Sequence, residues 1–540
     1  MKSIITFLRQ LNDKKIFAIF LSIVILFILI PLLQVLFLSF SSDSVYLKTL
    51  SETGLLFEGV LNTLELIFKV GFLSAGIGFI LSYIMTFYKI KYHKLINILL
   101  ILPLGIPVYV AAYTYSNIYF DIPLLETIFR SNFFMNGAVF IYVMFLYPYV
   151  YIASKSYLSK YLTEYIESAR TLNKSNFSIF FTIILPLSRP VIIGAVLFVI
   201  FETLSDFAVV EYYGQLTLSR YINIAWFNQG DIHTASRIAI YILLIMFVLI
   251  SGERLSRKNK RYSDSNNSSK PYVKDIPSLY GYILSYSFIL LVITLSFILP
   301  IYQMIQSAIL NRSYIDRLDI GELIYNTLLV TIISIILIIC VSLVVTAIVN
   351  YIRGSKKQVL SSLFVLGYSI PSMVLALGTY LFFIKFDQFI YPYLKTIGIN
   401  TMLITSSIII IIFAFFFKFF SIAFSNMMSS YSKVDPSLFE AAETLGENKL
   451  STMFRVNIPI LRKSIIGISI ILFIDMVKEL TLVYSLRPFN FKTLSTEVYR
   501  YAGNEMIEVA AFPSLIIILL CSLLIIYLEA GKKNGKTRKH

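Results

Sequence analysis

Apolar residues run in long, nearly unbroken blocks along this chain, separated by short polar stretches, and the block lengths predict the elements. A helix rises about 1.5 Å per residue, so about 20 apolar residues cross the hydrocarbon layer of a bilayer. On that measure spans are predicted near 16–40, 59–87, 95–119, 137–155, 190–210 and 236–251. A polar stretch, Gly252 to Pro277, follows, and then spans near 279–304, 323–351, 359–384, 401–425, 464–484 and 509–529. The predicted fold class is an all-α polytopic membrane protein with about 12 transmembrane helices.

Composition agrees. Of 540 residues 57% are hydrophobic and 14% charged, and the mean hydropathy is +0.79. A soluble domain carries about a quarter of its residues charged. The formal net charge of +16 invites a nucleic-acid reading, but the Lys and Arg sit in short loops beside the apolar blocks. There they act as topology signals and as contacts for anionic lipid heads, so no nucleic-acid partner is expected. Cys340 and Cys521 lie inside apolar blocks, too few and too far apart for a disulfide framework or metal site. Met1 to Lys15 is basic and runs into an apolar block without a small-residue cleavage site, which reads as a retained first span.

The basic loops set the expected orientation. Lys2, Arg9, Lys14 and Lys15 place the N-terminus in the cytoplasm. Alternating from there, the inside loops hold Lys89, Lys91 and Lys94, then Arg353, Lys356 and Lys357, then Lys532, Lys533, Lys536, Arg538 and Lys539. The central linker, with Arg254, Arg257, Lys258, Lys260, Arg261, Lys270 and Lys274, is also inside. Both termini of an inner-membrane, multi-pass chain are therefore expected in the cytoplasm.

An internal repeat organises the spans. Asn62-Thr63-Leu64 recurs as Asn326-Thr327-Leu328, and Ile106-Pro107 as Ile370-Pro371, both displaced by 264 residues. Glu167-Ser-Ala-Arg-Thr-Leu172 recurs as Glu440-Ala-Ala-Glu-Thr-Leu445, and Pro186 as Pro459, now displaced by 273. Each half holds six spans, an even number, so the halves form a parallel repeat about an axis along the membrane normal. The organisation read from this is a first half over 1–251, a basic linker over 252–277, a second half over 278–530 and a basic tail over 531–540.

Long loops join the fourth to the fifth span and the tenth to the eleventh, at about 159–187 and 432–460. The second reads Asp435-Pro436-Ser-Leu-Phe-Glu440-Ala441-Ala442-Glu443-Thr-Leu-Gly446. Asp435 suits an N-cap, Pro436 the first helical position and Gly446 the residue past the C-terminus. This is a short, well-punctuated helix outside the membrane. The pattern of Glu-Ala-Ala, a following Gly and a later Ile-Pro resembles the loop of ABC importer permeases of the type I kind, and the resemblance covers both halves. It implies that the short helix docks in a groove of a separate ATPase subunit, through Glu440, Ala441, Ala442, Gly446 and Pro459 in one copy and Glu167, Ala169, Asn173 and Pro186 in the other. The first copy departs from the pattern, with Ser168 for the first Ala and Asn173 for Gly, and Asn is the next best residue for a left-handed cap.

The tail Ala530-Gly-Lys-Lys-Asn-Gly535-Lys536-Thr537 fits a loose phosphate-loop pattern. A phosphate loop needs a strand before it and a helix after it, and an apolar helix precedes this one. The chain is thus not expected to be an enzyme or to bind a cofactor, and ATP-Mg is expected on two partner ATPase subunits. His93, His233 and His540 are scattered and suggest no nucleophile-base pair.

Ionisable groups inside spans mark transport pathways by default. Glu202 and Asp206 in the fifth span and Asp475 and Glu479 in the eleventh are equivalent under the 273-residue shift. Each pair is spaced i, i+4, which puts both carboxylates on one helix face. Paired carboxylates favour a cation, the competing reading being solvated span ends or pairs with Lys478 or Arg220. No set of metal ligands is assigned. Glu65, Lys69 and Lys418 lack counterparts in the other half and read as span-end charges or local pairs.

The stretches Lys478-Glu479-Leu480-Thr481, Leu486-Arg487-Pro488-Phe489-Asn490-Phe491 and Glu497-Val498-Tyr499, with Glu202-Thr203-Leu204-Ser205-Asp206-Phe207 and Glu211-Tyr212-Tyr213-Gly214 in the first half, resemble ferric-iron ABC importer permeases. That resemblance implies Fe(III) delivered by an extracytoplasmic binding protein and moved by alternating access, and hard carboxylate oxygens suit a hard cation. Similar permeases for thiamine or aminoethylphosphonate are the alternative. A secondary transporter driven by an ion gradient is the reading from another class, and it leaves the duplicated loops unexplained.

Overall fold

The computed structural model describes residues 2–40, 45–121, 136–257, 274–312, 319–352, 354–396, 398, 400–435, 437–438, 444–445 and 453–531. Among these the chain is helical, with a single isolated parallel bridge between Tyr88 and Asp275. Among the described residues ten helices are long and apolar enough to cross a membrane: Phe17–Ser39, Leu55–Phe87, Gly137–Tyr161, Asn176–Ser205, Ile232–Leu255, Leu279–Leu310, Ile320–Asn350, Ser372–Thr396, Ile409–Tyr431 and Ile507–Gly531. Counted as one span, the bent pair His93–Gly105 and Val108–Ile118 makes eleven. Helix Ile458–Val477 stands where the remaining span is predicted, and Arg462, Lys463 and Asp475 near its two ends lower its apolar character.

The third and ninth spans, read above as continuous, are broken. In the third, the two helices meet at 98°. Pro107 has no N–H to donate and crowds the residue before it, so Ile106 takes an extended conformation, φ −96° and ψ 117°. Ile370, before Pro371, does the same at φ −88° and ψ 124°. A short 3-10 turn precedes each break, Leu102–Gly105 and Leu366–Ser369, at the 264-residue shift. The repeated Ile-Pro pair is thus a pair of breaks. The repeated Asn-Thr-Leu is also a device. Asn62 donates to the Leu216 carbonyl at 3.0 Å, and Asn326 donates to the Lys492 carbonyl at 3.0 Å. Each amide ties the start of a long helix to the loop beyond the fifth or eleventh span.

By contact the chain divides into two compact units that interleave the sequence halves. One comprises 1–43, 232–240 and 321–493. In it the first span packs against the ninth, so closely that a Cβ on Gly378 would meet the Pro31 carbonyl, and Phe27 packs among Phe413, Phe416 and Phe417. The other comprises 44–231, 241–320 and 494–540. In it the second and fourth spans approach at Gly78, which faces the Tyr147 carbonyl. The seventh span lies among the third and twelfth there, and the Tyr115 hydroxyl donates to the Leu295 carbonyl. Each unit therefore holds the first span of one half with the body of the other.

Single π turns open the fifth and eleventh spans, Phe180–Ile184 and Met453–Asn457, again displaced by 273 residues. Each stands just before the repeated proline, Pro186 or Pro459, which contributes no N–H to the helical ladder.

Candidate functional site

The first loop folds as two short helices, Thr163–Thr171 and Asn176–Ile179, leading into the π turn and the fifth span. Leu162, Ile166 and Ala169 share one face of the first helix and are buried in a cluster with Phe79, Phe87, Leu158, Ile179 and Ile184. The small side chain of Ala169, 4% exposed, lets that face seat closely. Glu164, Tyr165, Glu167, Ser168 and Thr171 are exposed. The Ser168 hydroxyl donates back to the Glu164 carbonyl at 2.8 Å and so adds no outward hook. Leu172, Phe177 and Phe181 extend the exposed face with apolar surface.

Asn173 ends this helix in the left-handed conformation, φ 54°. The Asn173 N–H donates to the Arg170 carbonyl at 2.9 Å and the Lys174 N–H to the Ala169 carbonyl at 3.2 Å, the bonding of a Schellman cap. In the second loop Glu440, Ala441, Ala442 and Gly446 lie outside the described residues, as does Pro436. At its start the Ser437 N–H donates to the Asp435 carboxylate at 2.9 Å, an N-cap contact. That bond, with one from the Ser437 hydroxyl, holds the Asp435 carboxyl below the usual range.

The carboxylate pairs do not share a helix face. The fifth span ends at Ser205, and Asp206 is extended just beyond it, φ −92° and ψ 132°. Its carboxylate accepts from the Val209 N–H at 3.0 Å, capping helix Ala208–Tyr212, and from the Tyr142 hydroxyl at 2.7 Å. The eleventh span ends at Val477, and Glu479 repeats the arrangement. Its carboxylate accepts from the Leu482 N–H at 3.3 Å, at the start of helix Thr481–Leu486, and from the Lys418 ammonium at 2.7 Å. The i, i+4 spacing fails because the chain leaves the helix to let the second carboxylate cap the next one. Glu202 is half-buried, and Asp475 pairs with Lys478 at 3.0 Å. Each unit holds one of the two pairs.

Lys418, read as a span-end charge or local pair, is buried at 3% exposure, bonds Glu479 across 61 residues and also donates to Ser372 at 2.6 Å. Glu65 and Lys69 do form a local i, i+4 pair. Three contacts had no signal in spacing. The Tyr499 hydroxyl donates to Glu211 at 2.7 Å across 288 residues of sequence, and Asn223 donates to the other oxygen of Glu211 at 3.3 Å. The Arg170 guanidinium grips both oxygens of Asp275. Among the described residues no group of three His, Cys, Asp or Glu side chains could hold a metal ion.

The profile of the family described as "Binding-protein-dependent transport system inner membrane component" matches residues 6–261 and 344–530. Each matched segment contains one of the two loops. The Fe(3+)-transport system permease protein FbpB 2 of Haemophilus influenzae is 21% identical over 473 residues, 87% of this chain and 88% of that one. The probable transport system permease protein NifC of Clostridium pasteurianum is 25% identical over 182 residues, 33% of this chain and 62% of that one. Among solved structures, a bacterial alginate ABC transporter in complex with a periplasmic protein carrying an alginate pentasaccharide is similar at 15% identity. The TM-score is 0.37, with 47% of this chain and 96% of that chain covered.

Proposed function

Because this chain belongs to the binding-protein-dependent transport system inner membrane component family, the permeases of ABC importers, we propose that its cargo is Fe(III). An extracytoplasmic binding protein delivers the cation, and two separate ATPase subunits, each carrying ATP-Mg, drive alternating access. The cargo reading is supported by likeness along 87% of the chain to a permease named for Fe(3+) transport. Hard oxygen donors at Glu202, Asp206, Asp475 and Glu479 suit that cation. In this reading the capping bonds of Asp206 and Glu479 set where those two carboxylates stand.

The observation that carries the coupling reading is the two-faced helix Thr163–Thr171. One face is locked into the core by Leu162, Ile166 and Ala169, and the other presents Glu164, Glu167, Tyr165 and the neighbouring Leu172 and Phe177. A rigidly seated helix with an exposed acidic and apolar face transmits a push from a bound partner into the spans beneath it. Glu440, Ala441, Ala442 and Gly446 repeat the sequence pattern of that loop in the second half. In this reading both docking loops and both termini are cytoplasmic, which the basic loops support.

The test is uptake into proteoliposomes holding the permease, its ATPase and its binding protein. Fe(III) should enter with ATP inside and binding protein outside. Uptake of thiamine or aminoethylphosphonate with Fe(III) excluded would overturn the cargo, and uptake without the ATPase would overturn the coupling.

A further inference from the structure

The stretch joining the two halves returns to the body of the protein at Lys274–Ser278, and its grip there is specific. The Asp275 N–H donates to the Phe87 carbonyl at 2.8 Å, and the Lys89 N–H donates to the Asp275 carbonyl at 2.8 Å. These bonds make the parallel bridge to Tyr88, at the end of the second span. The Lys274 ammonium donates to the Met85 carbonyl at 2.9 Å, and burial there pushes its pKa down. With its backbone fixed, Asp275 turns its carboxylate to Arg170, in the last turn of the docking helix. One guanidinium nitrogen donates to Oδ1 at 2.9 Å and the other to Oδ2. Arg170 also reaches the Asn176 side chain, at 3.4 Å, on the following helix.

A two-pronged Arg–carboxylate pair fixes direction as well as distance, which a single point contact does not. The apolar face of the docking helix resists lifting, while the fork resists rolling about the helix axis. Three residues beyond Asp275, the Ser278 hydroxyl accepts from the Gly281 N–H at 3.2 Å and caps the seventh span. From these contacts we infer that Lys274–Ser278 is a strap. It holds the first docking helix in register and passes its displacement to the start of the seventh span, with Arg170 and Asp275 as positioning residues. The inference rests on the docking reading above. It makes the two docking sites unequal, because the position equivalent to Arg170 in the second copy is Glu443, which has no fork to offer a carboxylate.

Charge exchange tests it on the full chain. Hydrogen exchange of the amides of Thr163–Thr171, measured on the permease alone in lipid nanodiscs, should accelerate by about threefold or more in Asp275→Arg and less in Asp275→Asn. With ATPase and binding protein added, ATP hydrolysed per solute carried should rise in the same order. The double exchange Arg170→Asp/Asp275→Arg should return both readouts toward the parent. Unchanged exchange in both single variants, or no recovery in the double, overturns the strap. ATPase co-purification with Glu167→Arg is followed separately. Its persistence there overturns the docking reading, while the exchange result on the permease alone still decides the strap.

Discussion

The Lys418 ammonium stands 2.7 Å from the Glu479 carboxylate, both inside the protein, at the place where the eleventh span gives way to a short helix. At the equivalent break after the fifth span, Asp206 is met by the Tyr142 hydroxyl at the same 2.7 Å. The backbone role is shared, since each carboxylate caps the helix that follows. The partners differ in charge. One half has settled this carboxylate with a cation, the other with a phenol.

That difference predicts unequal responses to substitution. Lys418→Met leaves the largely covered Glu479 carboxylate opposite an apolar side chain and should destabilise the protein by about 3–5 kcal/mol. The double variant Lys418→Met/Glu479→Gln removes both charges and should recover most of the loss. Thermal unfolding in detergent measures both, and a neutral single variant would show that water reaches Glu479.

Tyr142→Phe deletes one hydrogen bond to a carboxylate that keeps its Val209 N–H, so the expected cost is smaller, about 1.5–3 kcal/mol. Asp206→Ala removes the cap as well and should cost more. If the two variants unfold at the same temperature, the cap contributes nothing.

These contacts mark how far the sequence could be read. Block lengths gave the spans because the bilayer fixes helix length, and the repeat put Asp206 and Glu479 at equivalent ends of the fifth and eleventh spans. The breaks at Ile106 and Ile370 were spelled out by the prolines after them, yet a continuous apolar run hid them. The i, i+4 spacing of Glu202 and Asp206 suggested a shared face because nothing in it reveals that the helix stops at Ser205. Tyr142, Lys418, Tyr499 and Asp275 find their partners across 64, 61, 288 and 105 residues. Packing brings those pairs together, and no local pattern encodes it. The exchange of first spans between units is likewise a matter of tertiary contact, invisible to a repeat search.

The two faces of helix Thr163–Thr171 should separate stability from the proposed coupling. Ala169→Leu forces about three extra carbons into the filled cluster of Ile166, Phe87 and Ile184 and should cost about 1–3 kcal/mol. Glu167→Arg alters only the exposed face and should leave the unfolding temperature unchanged while ATPase co-purification and uptake fall. Loss of stability in Glu167→Arg would place that side chain in the fold instead.

The Asp435 cap at the start of the second loop carries a pH dependence whose sign follows from its bonds. Ser437 donates its N–H, at 2.9 Å, and its hydroxyl to the Asp435 carboxylate, which favours the ionised form and lowers its pKa in the folded loop. A group lowered on folding contributes stability that is complete above its unfolded pKa, near 4. That contribution is lost as the pH falls through the lower, folded value. Hydrogen exchange at Ser437 and Leu438, corrected for the intrinsic rate, should therefore quicken on acidification through that window. Asp435→Asn keeps an acceptor but has no proton to gain, so its exchange at these amides, corrected for the intrinsic rate, should be flat over the same window. A variant that followed the parent's pH profile would assign the dependence to another group.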